Sequence, residues 1–177
     1  MKIDMKYAPE LCASDDTTRQ QLCQAYLDAT DRNAAKMVTT DGHMMAVIPV
    51  ESLDHEDVTG NIPLDALVEA KRASKAAKKD GVYLSANGAV KLDDGRTFPR
   101  GEMQFPSWRD VVPGMEGSFE QDEIKATVGI NPRLLLDAIK ASGCGKREGV
   151  TLEIRGPLSP VVVRCGEAYA VVMPMQV

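Results

Sequence analysis

The run TTDGHMMAVIP, Thr39 to Pro49, sets Asp41 and His43 two residues apart, and His43 is one of only two histidines among 177 residues. Such a pairing invites a catalytic or metal-binding reading. Nucleophilic catalysis needs a hydroxyl or thiol beside a base, and no Ser/His/Asp or Cys/His set in the chain is spaced to suggest one. His55 lies in the acidic run DHED, Asp54 to Asp57. Those are ligand-type residues, but the run reads as a solvated loop. GCGKREG, Gly143 to Gly149, has the flavour of a phosphate loop. A phosphate loop follows a strand and opens a helix, whereas this run follows a helical pattern and reads as a turn. Cys12, Cys23, Cys144 and Cys165 show no C-x-x-C spacing, so they read as buried free thiols and not as a zinc or redox site. No catalytic residue, metal or cofactor is assigned, and the chain is not expected to be an enzyme.

The elements that would hold these residues can be read from patterning. A hydrophobic fraction of 44% and a charged fraction of 27% are ordinary for a globular domain. The net charge of -5 argues against a protein that coats nucleic acid, while leaving room for a local basic stripe. No apolar run is long enough for a membrane span and none follows a basic start, so a cytoplasmic protein is expected. MKIDMKY, QLCQAYLDAT, KMVTT and HMMAVIPV read as strands, the last two forming a hairpin through Asp41-Gly42. The spacing predicts a helix from Pro63 to Asp80-Gly81, with Leu64, Leu67 and Val68 as its apolar stripe. Lys71, Lys75 and Lys78 recur at i, i+4 and i+7 with Arg72 and Lys79 beside them, which is either a basic working surface or plain solvation. GVYLSA and AVKLDD form a hairpin at Asn87-Gly88, RTFPRGEMQF adds a strand, and FPSWRDVVPG reads as an extended linker. EIKATVGI reads as a strand and NPRLLLDAIKASG as a helix burying Leu135, Ala138 and Ile139. Strands in GVTLEIRG, SPVVVRC and AYAVVMPMQV close the chain.

A repeat emerges. Two segments each run strand, proline, helix, then Gly-Val-x-Leu opening three strands: Pro63 with Gly81, and Pro132 with Gly149. The unit is β-α-β-β-β, and the segment from MKIDMKY to AVIPV is a third copy with its helix shortened. Units of this kind must pair to bury their apolar faces.

Three separate stretches then carry a resemblance. TTDGHMMAV is similar to the T-D-G-H-R-L-A segment, FPSWRDVVP to the F-P-x-Y-R-x-V-x-P segment and AYAVVMPMQV to the terminal Y-V-V-M-P-M-R-L of one family. That family is the bacterial sliding clamps, the β subunit of DNA polymerase III. The resemblance implies an α+β DNA clamp (processivity) fold built from β-α-β-β-β half-domain repeats, with helices on one face of antiparallel sheets. The implied domains are 1–104, resembling the family's middle domain, a linker at 105–118, and a half-domain at 119–177. In the family the three stretches wall a pocket for short linear peptides of polymerase and repair proteins. Carried over, that pocket uses Thr40, Gly42, His43, Met45, Pro106, Val111, Val171, Met173, Pro174 and Met175. Methionine is flexible and polarizable, as apolar peptide binding requires, although the same methionines would also serve as strand core.

The resemblance further implies non-specific contact with duplex DNA through Lys71, Arg72, Lys75, Lys78 and Lys79. It implies a DNA polymerase processivity factor that encircles DNA as a homo-oligomer; the alternative is a peptide-binding clamp mimic, or decoy, that does not encircle DNA. Departures are equally plain. The chain holds three half-domain units where the family has six, so one unit is left without a mate and self-association is expected. Met44 stands where the family has arginine, Asp110 at an often basic position and Gln176 in place of an arginine. Acidic peptide ends should therefore be less welcome.

Overall fold

The computed structural model describes residues 1–112, 128–145 and 148–176. Eleven strands and three α-helices are found among them. The strands are β1 (Lys2–Asp4), β2 (Gln24–Asp28), β3 (Lys36–Thr40), β4 (Met44–Pro49), β5 (Gly60–Pro63), β6 (Gly81–Asn87), β7 (Ala89–Leu92), β8 (Thr97–Pro99), β9 (Thr151–Glu153), β10 (Val161–Cys165) and β11 (Ala168–Val172). The helices are α1 (Leu64–Ala76), α2 (Trp108–Val111) and α3 (Pro132–Ala141). All strand pairs are antiparallel. They form a four-stranded sheet, β1-β6-β7-β8, and a seven-stranded sheet, β5-β2-β3-β4-β11-β10-β9.

This topology explains why single units cannot stand alone. The first unit lends β1 to the sheet of the second, and the second lends β5 to the sheet of the first. The shared core contains Ile3, Leu27, Met37, Ile48, Ile62, Leu67, Leu84 and Val90, drawn from both units. The third unit, α3 with β9–β11, joins through β11 alongside β4, with Val171 opposite Met45. Its helix packs over Met44, Ala46, Val163 and Ala170. The other face of the same strands carries Val38, Met45, Val47, Val162, Tyr169 and Val171 with Phe105 and Trp108.

Several expectations need correction. The shortened first helix comprises two 3-10 turns, Pro9–Cys12 and Thr17–Leu22, and the latter consumes the start of the predicted QLCQAYLDAT strand. The buried face of α1 is Ala66, Leu67, Ala70 and Ser74, rotated from the predicted stripe, with Leu64 and Val68 only partly buried. Small residues let the helix sit close to the sheet, so the alanines face inward. RTFPRGEMQF keeps only three strand residues, and the extended linker contains the helical turn α2, drawn in by the buried Trp108. Residues 123–127 of the EIKATVGI strand lie outside the described residues; beyond them Gly129 bridges to Met175.

The cysteines and the acidic run also differ from expectation. Cys144 and Cys165 are joined as a disulfide with a Cα–Cα distance of 5.7 Å, within the usual range for such a bridge. Sequence spacing could not reveal this, because only the return of β10 past the end of α3 brings them together. Cys12 is free and buried, and Cys23 is free and partly exposed. In DHED, His55 is exposed as expected, but Asp57 is fully buried. Its carboxylate lies 2.7 Å from the Met1 ammonium, both groups having no solvent exposure, and accepts from the backbone N–H groups of Ala86 and Asp54. Burial alone pushes the Asp57 carboxyl up. The ammonium and the two N–H donors outweigh it and hold the carboxyl below its ordinary value.

Candidate functional site

The seam between β4 and β11 opens on a cavity of about 360 Å³. It is lined by Thr40, Gly42, His43, Met44 and Met45 from the β3–β4 hairpin, Pro106 and Val111 from the α2 segment, and Val171 and Met173 from the tail. Arg19, Gln21 and Leu22 of the second 3-10 turn complete the wall. Eight of the ten residues proposed from sequence therefore border one cavity. Pro174 and Met175 do not line it, and Met175 instead donates its N–H to Gly129 at 2.8 Å.

Local hydrogen bonds build each wall. Asp41 closes the hairpin by accepting from the N–H groups of both His43 and Met44, at 2.7 and 2.8 Å, as Asp commonly does in turns. Thr40 Oγ1 donates to the Met44 carbonyl at 2.7 Å and accepts from Gly42 N–H at 3.1 Å. Gly42 has φ +89°, a conformation costly for any residue with a Cβ. The His43 carbonyl accepts from Met173 N–H at 2.7 Å, which ties the tail to the hairpin. The hydrogen bonds that place His43 are made by its backbone, and its exposed ring borders the cavity.

The α2 wall is held from behind. Phe105 stacks on Tyr26 with ring centroids 5.1 Å apart, and Trp108 and Arg109 both bind the buried carboxylate of Asp28. On the outer side of this segment a larger, more polar concavity of about 760 Å³ runs past Asn61, Arg100 and Arg109. Sequence reasoning missed Arg19. It sits in a turn-rich stretch without periodicity, and only the fold brings its guanidinium to Gly42, whose missing Cβ would lie 3.6 Å from Nη1. The cavity therefore has a cation despite Met44.

The predicted basic residues differ in how their charges are held. Lys71 is half-withdrawn, binding Glu10 at 2.7 Å and the Tyr7 carbonyl at 2.8 Å. Arg72 pairs with Glu69 and Lys79 with Asp93. Lys78 and Lys79 lie past the end of α1, with Lys78 at φ 50°. Lys75 and Lys78 are exposed and, among the described residues, make no ion pair. One group of possible metal ligands occurs among the described residues, Cys144, Glu148 and Cys165, and both of its sulfurs are committed to the disulfide. No helix among the described residues is long and apolar enough to cross a membrane.

No family model and no curated relative matches the chain. Solved structures do. The Caulobacter crescentus pol III β structure matches with a TM-score of 0.75 at 19% identity, covering 100% of this chain and 65% of that one. DNA polymerase III subunit β from Borrelia burgdorferi matches at 0.72 and 12% identity, over 100% and 64%. The β subunit of the Streptococcus pyogenes DNA polymerase matches at 0.71 and 14% identity, over 100% and 66%. The chain thus spans about two-thirds of the length of these structures or slightly less, and over that length it has the fold of the bacterial sliding clamp, the β subunit of DNA polymerase III.

Proposed function

We propose that this chain is a reduced clamp-like processivity factor. It receives short linear peptides of polymerase and repair proteins in the cavity at the β4–β11 seam. The observation that supports this most is that four separate segments converge on one apolar, methionine-walled cavity whose size suits a few side chains. Such a protein works by tethering and needs no catalytic group. DNA would be contacted through phosphates by Lys75 and Lys78, with Arg72 at their side, in a cytoplasmic homo-oligomer. In a reducing cytoplasm the Cys144–Cys165 bridge would be open. A labelled peptide carrying an apolar clamp-binding sequence should bind wild-type chain saturably, and anisotropy titration should show about tenfold or greater loss for Met173→Ala. Unchanged affinity would refute the assignment of the cavity.

The second reading is a peptide-binding decoy that does not encircle DNA. The charge pairing of Lys71, Arg72 and Lys79 favours it, because a DNA-facing helix gains by leaving its cations free. Retention on nicked circular DNA, with loss after linearisation, separates the two.

A further inference from the structure

The helix ends of the second and third units are tied down differently. Past α1, Lys79 forms an ion pair with Asp93, just beyond β7. Past α3, Cys144 is bonded to Cys165 at the end of β10, the strand that matches β7 in the repeat. Sulfur thus stands at a junction where the other unit uses charge. Each cysteine sits beside a glycine in the left-handed region, Gly143 at φ +76° before Cys144 and Gly166 at φ +58° after Cys165.

A carboxylate belongs to the same cluster. Glu148 Oε2 lies 3.8 Å from Cys165 Sγ, and one ligand atom from each of Cys144, Glu148 and Cys165 falls within 4.8 Å of the others. Zn–S and Zn–O bonds of about 2.3 and 2.1 Å at a tetrahedral angle set sulfur and oxygen roughly 3.6 Å apart. The carboxylate therefore already stands close to ligand spacing. Its Oε2 also accepts from the Gly145 N–H at 2.8 Å, the kind of outer bond that fixes a ligating carboxylate. A surface cavity of about 430 Å³, bordered by Cys165, Glu148 and Glu167, gives an ion a way in.

The electrostatics favour a bound cation over thiol exchange. A reactive cysteine needs a positive neighbour to hold its thiolate. Among the described residues that border this cavity Lys6 is the one cation, and it is paired with Asp4. The carboxylates of Glu148 and Glu167 oppose thiolate formation unless a metal ion offsets their charge. We propose that, once the bridge is reduced, Cys144, Cys165 and Glu148 bind one zinc ion, with water in the fourth position. Reduction takes two electrons and two protons from a dithiol, which leaves as its own disulfide. Zinc then displaces the two thiol protons. Two thiolates and a carboxylate suit zinc, whereas magnesium and calcium take oxygen donors alone. The site is independent of what the β4–β11 cavity binds.

The test is metal titration of the full chain, reduced with a phosphine under exclusion of oxygen. Cobalt(II) should bind one to a chain and give a near-ultraviolet thiolate-to-cobalt absorption that zinc abolishes. The chain with its bridge intact should give none. By competition with a chromophoric chelator, Cys165→Ser should lower zinc affinity about a hundredfold and Glu148→Gln about tenfold. Circular dichroism checks the fold of the serine variant, and Glu148 is exposed, so its variant keeps the fold. Glu167→Gln removes the same charge outside the ligand set and should cost less than about threefold. Zinc should also shield Cys144 and Cys165 from alkylation, while Cys23, free and partly exposed, still reacts. A reduced chain without the cobalt absorption would overturn the proposal. So would equal losses in Glu148→Gln and Glu167→Gln, which would make the Glu148 carboxylate a bystander.

Discussion

The indole Nε1 of Trp108 donates to the buried carboxylate of Asp28 at 3.2 Å, and Arg109 binds the same carboxylate at 2.6 Å. Asp28 ends β2, next to the edge of the seven-stranded sheet, so this bond fixes one wall of the cavity to the sheet. Asp28→Ala would leave a buried indole N–H unpaired, at a cost of about 1–3 kcal/mol. The wall bearing Pro106 and Val111 would then have to be ordered by the ligand. Peptide affinity should fall about tenfold, the equivalent of roughly 1.4 kcal/mol, with little change in circular dichroism. Equal affinity would show that the α2 segment is not part of the binding wall.

The two tail methionines should behave differently. Met173 lines the cavity, whereas Met175 does not and is exposed, its backbone N–H held by the Gly129 carbonyl. The family resemblance treats them alike. Titration should show Met175→Ala binding peptide within about threefold of wild type, against the larger loss for Met173→Ala. Matching losses would place Met175 in the site.

Arg19 offers a direct probe of ligand charge. Its reversal, Arg19→Glu, should weaken a peptide with an acidic end about tenfold more than the same peptide with that end amidated. The difference should shrink in high salt, because the side chain is half-exposed. An identical effect on both peptides would remove Arg19 from ligand selection.

Acid stability should report on Asp57. Its folded-state carboxyl is held below the ordinary 3.8. The stabilisation is therefore fully present above that value and is lost as pH falls through the depressed folded value. Asp57→Asn should cost about 3–5 kcal/mol near neutrality, because it strands a buried ammonium. It should also flatten the acid limb of a denaturation series. A variant with wild-type stability and an unchanged acid limb would show the pair to be energetically silent.

If DNA is bound, Lys75 and Lys78 should carry the contact. Changing both to Glu should lower the slope of log affinity against log salt by about 1.8, at roughly 0.9 per phosphate contact. Lys79→Glu should matter less, being already paired with Asp93.

Much of this was legible in the residues. The Asp41-Gly42 hairpin, both proline-started helices and the terminal hairpin follow from turn chemistry and periodicity, which are local. What escaped was long-range. Cys144 meets Cys165, Asp57 meets Met1 and Arg19 meets Gly42 only because of the sheet order. The buried face of α1 was misjudged because alanine carries little hydrophobic signal, while close packing selects for it. The basic stripe was legible as composition but not as charge, since the acids that pair with Lys71 and Lys79 come from distant loops.

The pairing of β4 with β11 makes the cavity a property of a joint between the first and third units. A ligand there touches both sides, so its binding energy adds to that of the strand pair. Whatever occupies the cavity acts as a rivet: it raises the work needed to peel the tail away. Conversely, anything that loosens the tail weakens the ligand by the same factor. Occupancy could therefore be followed without touching the ligand, from the exchange rate of the Val171 and Val172 amides.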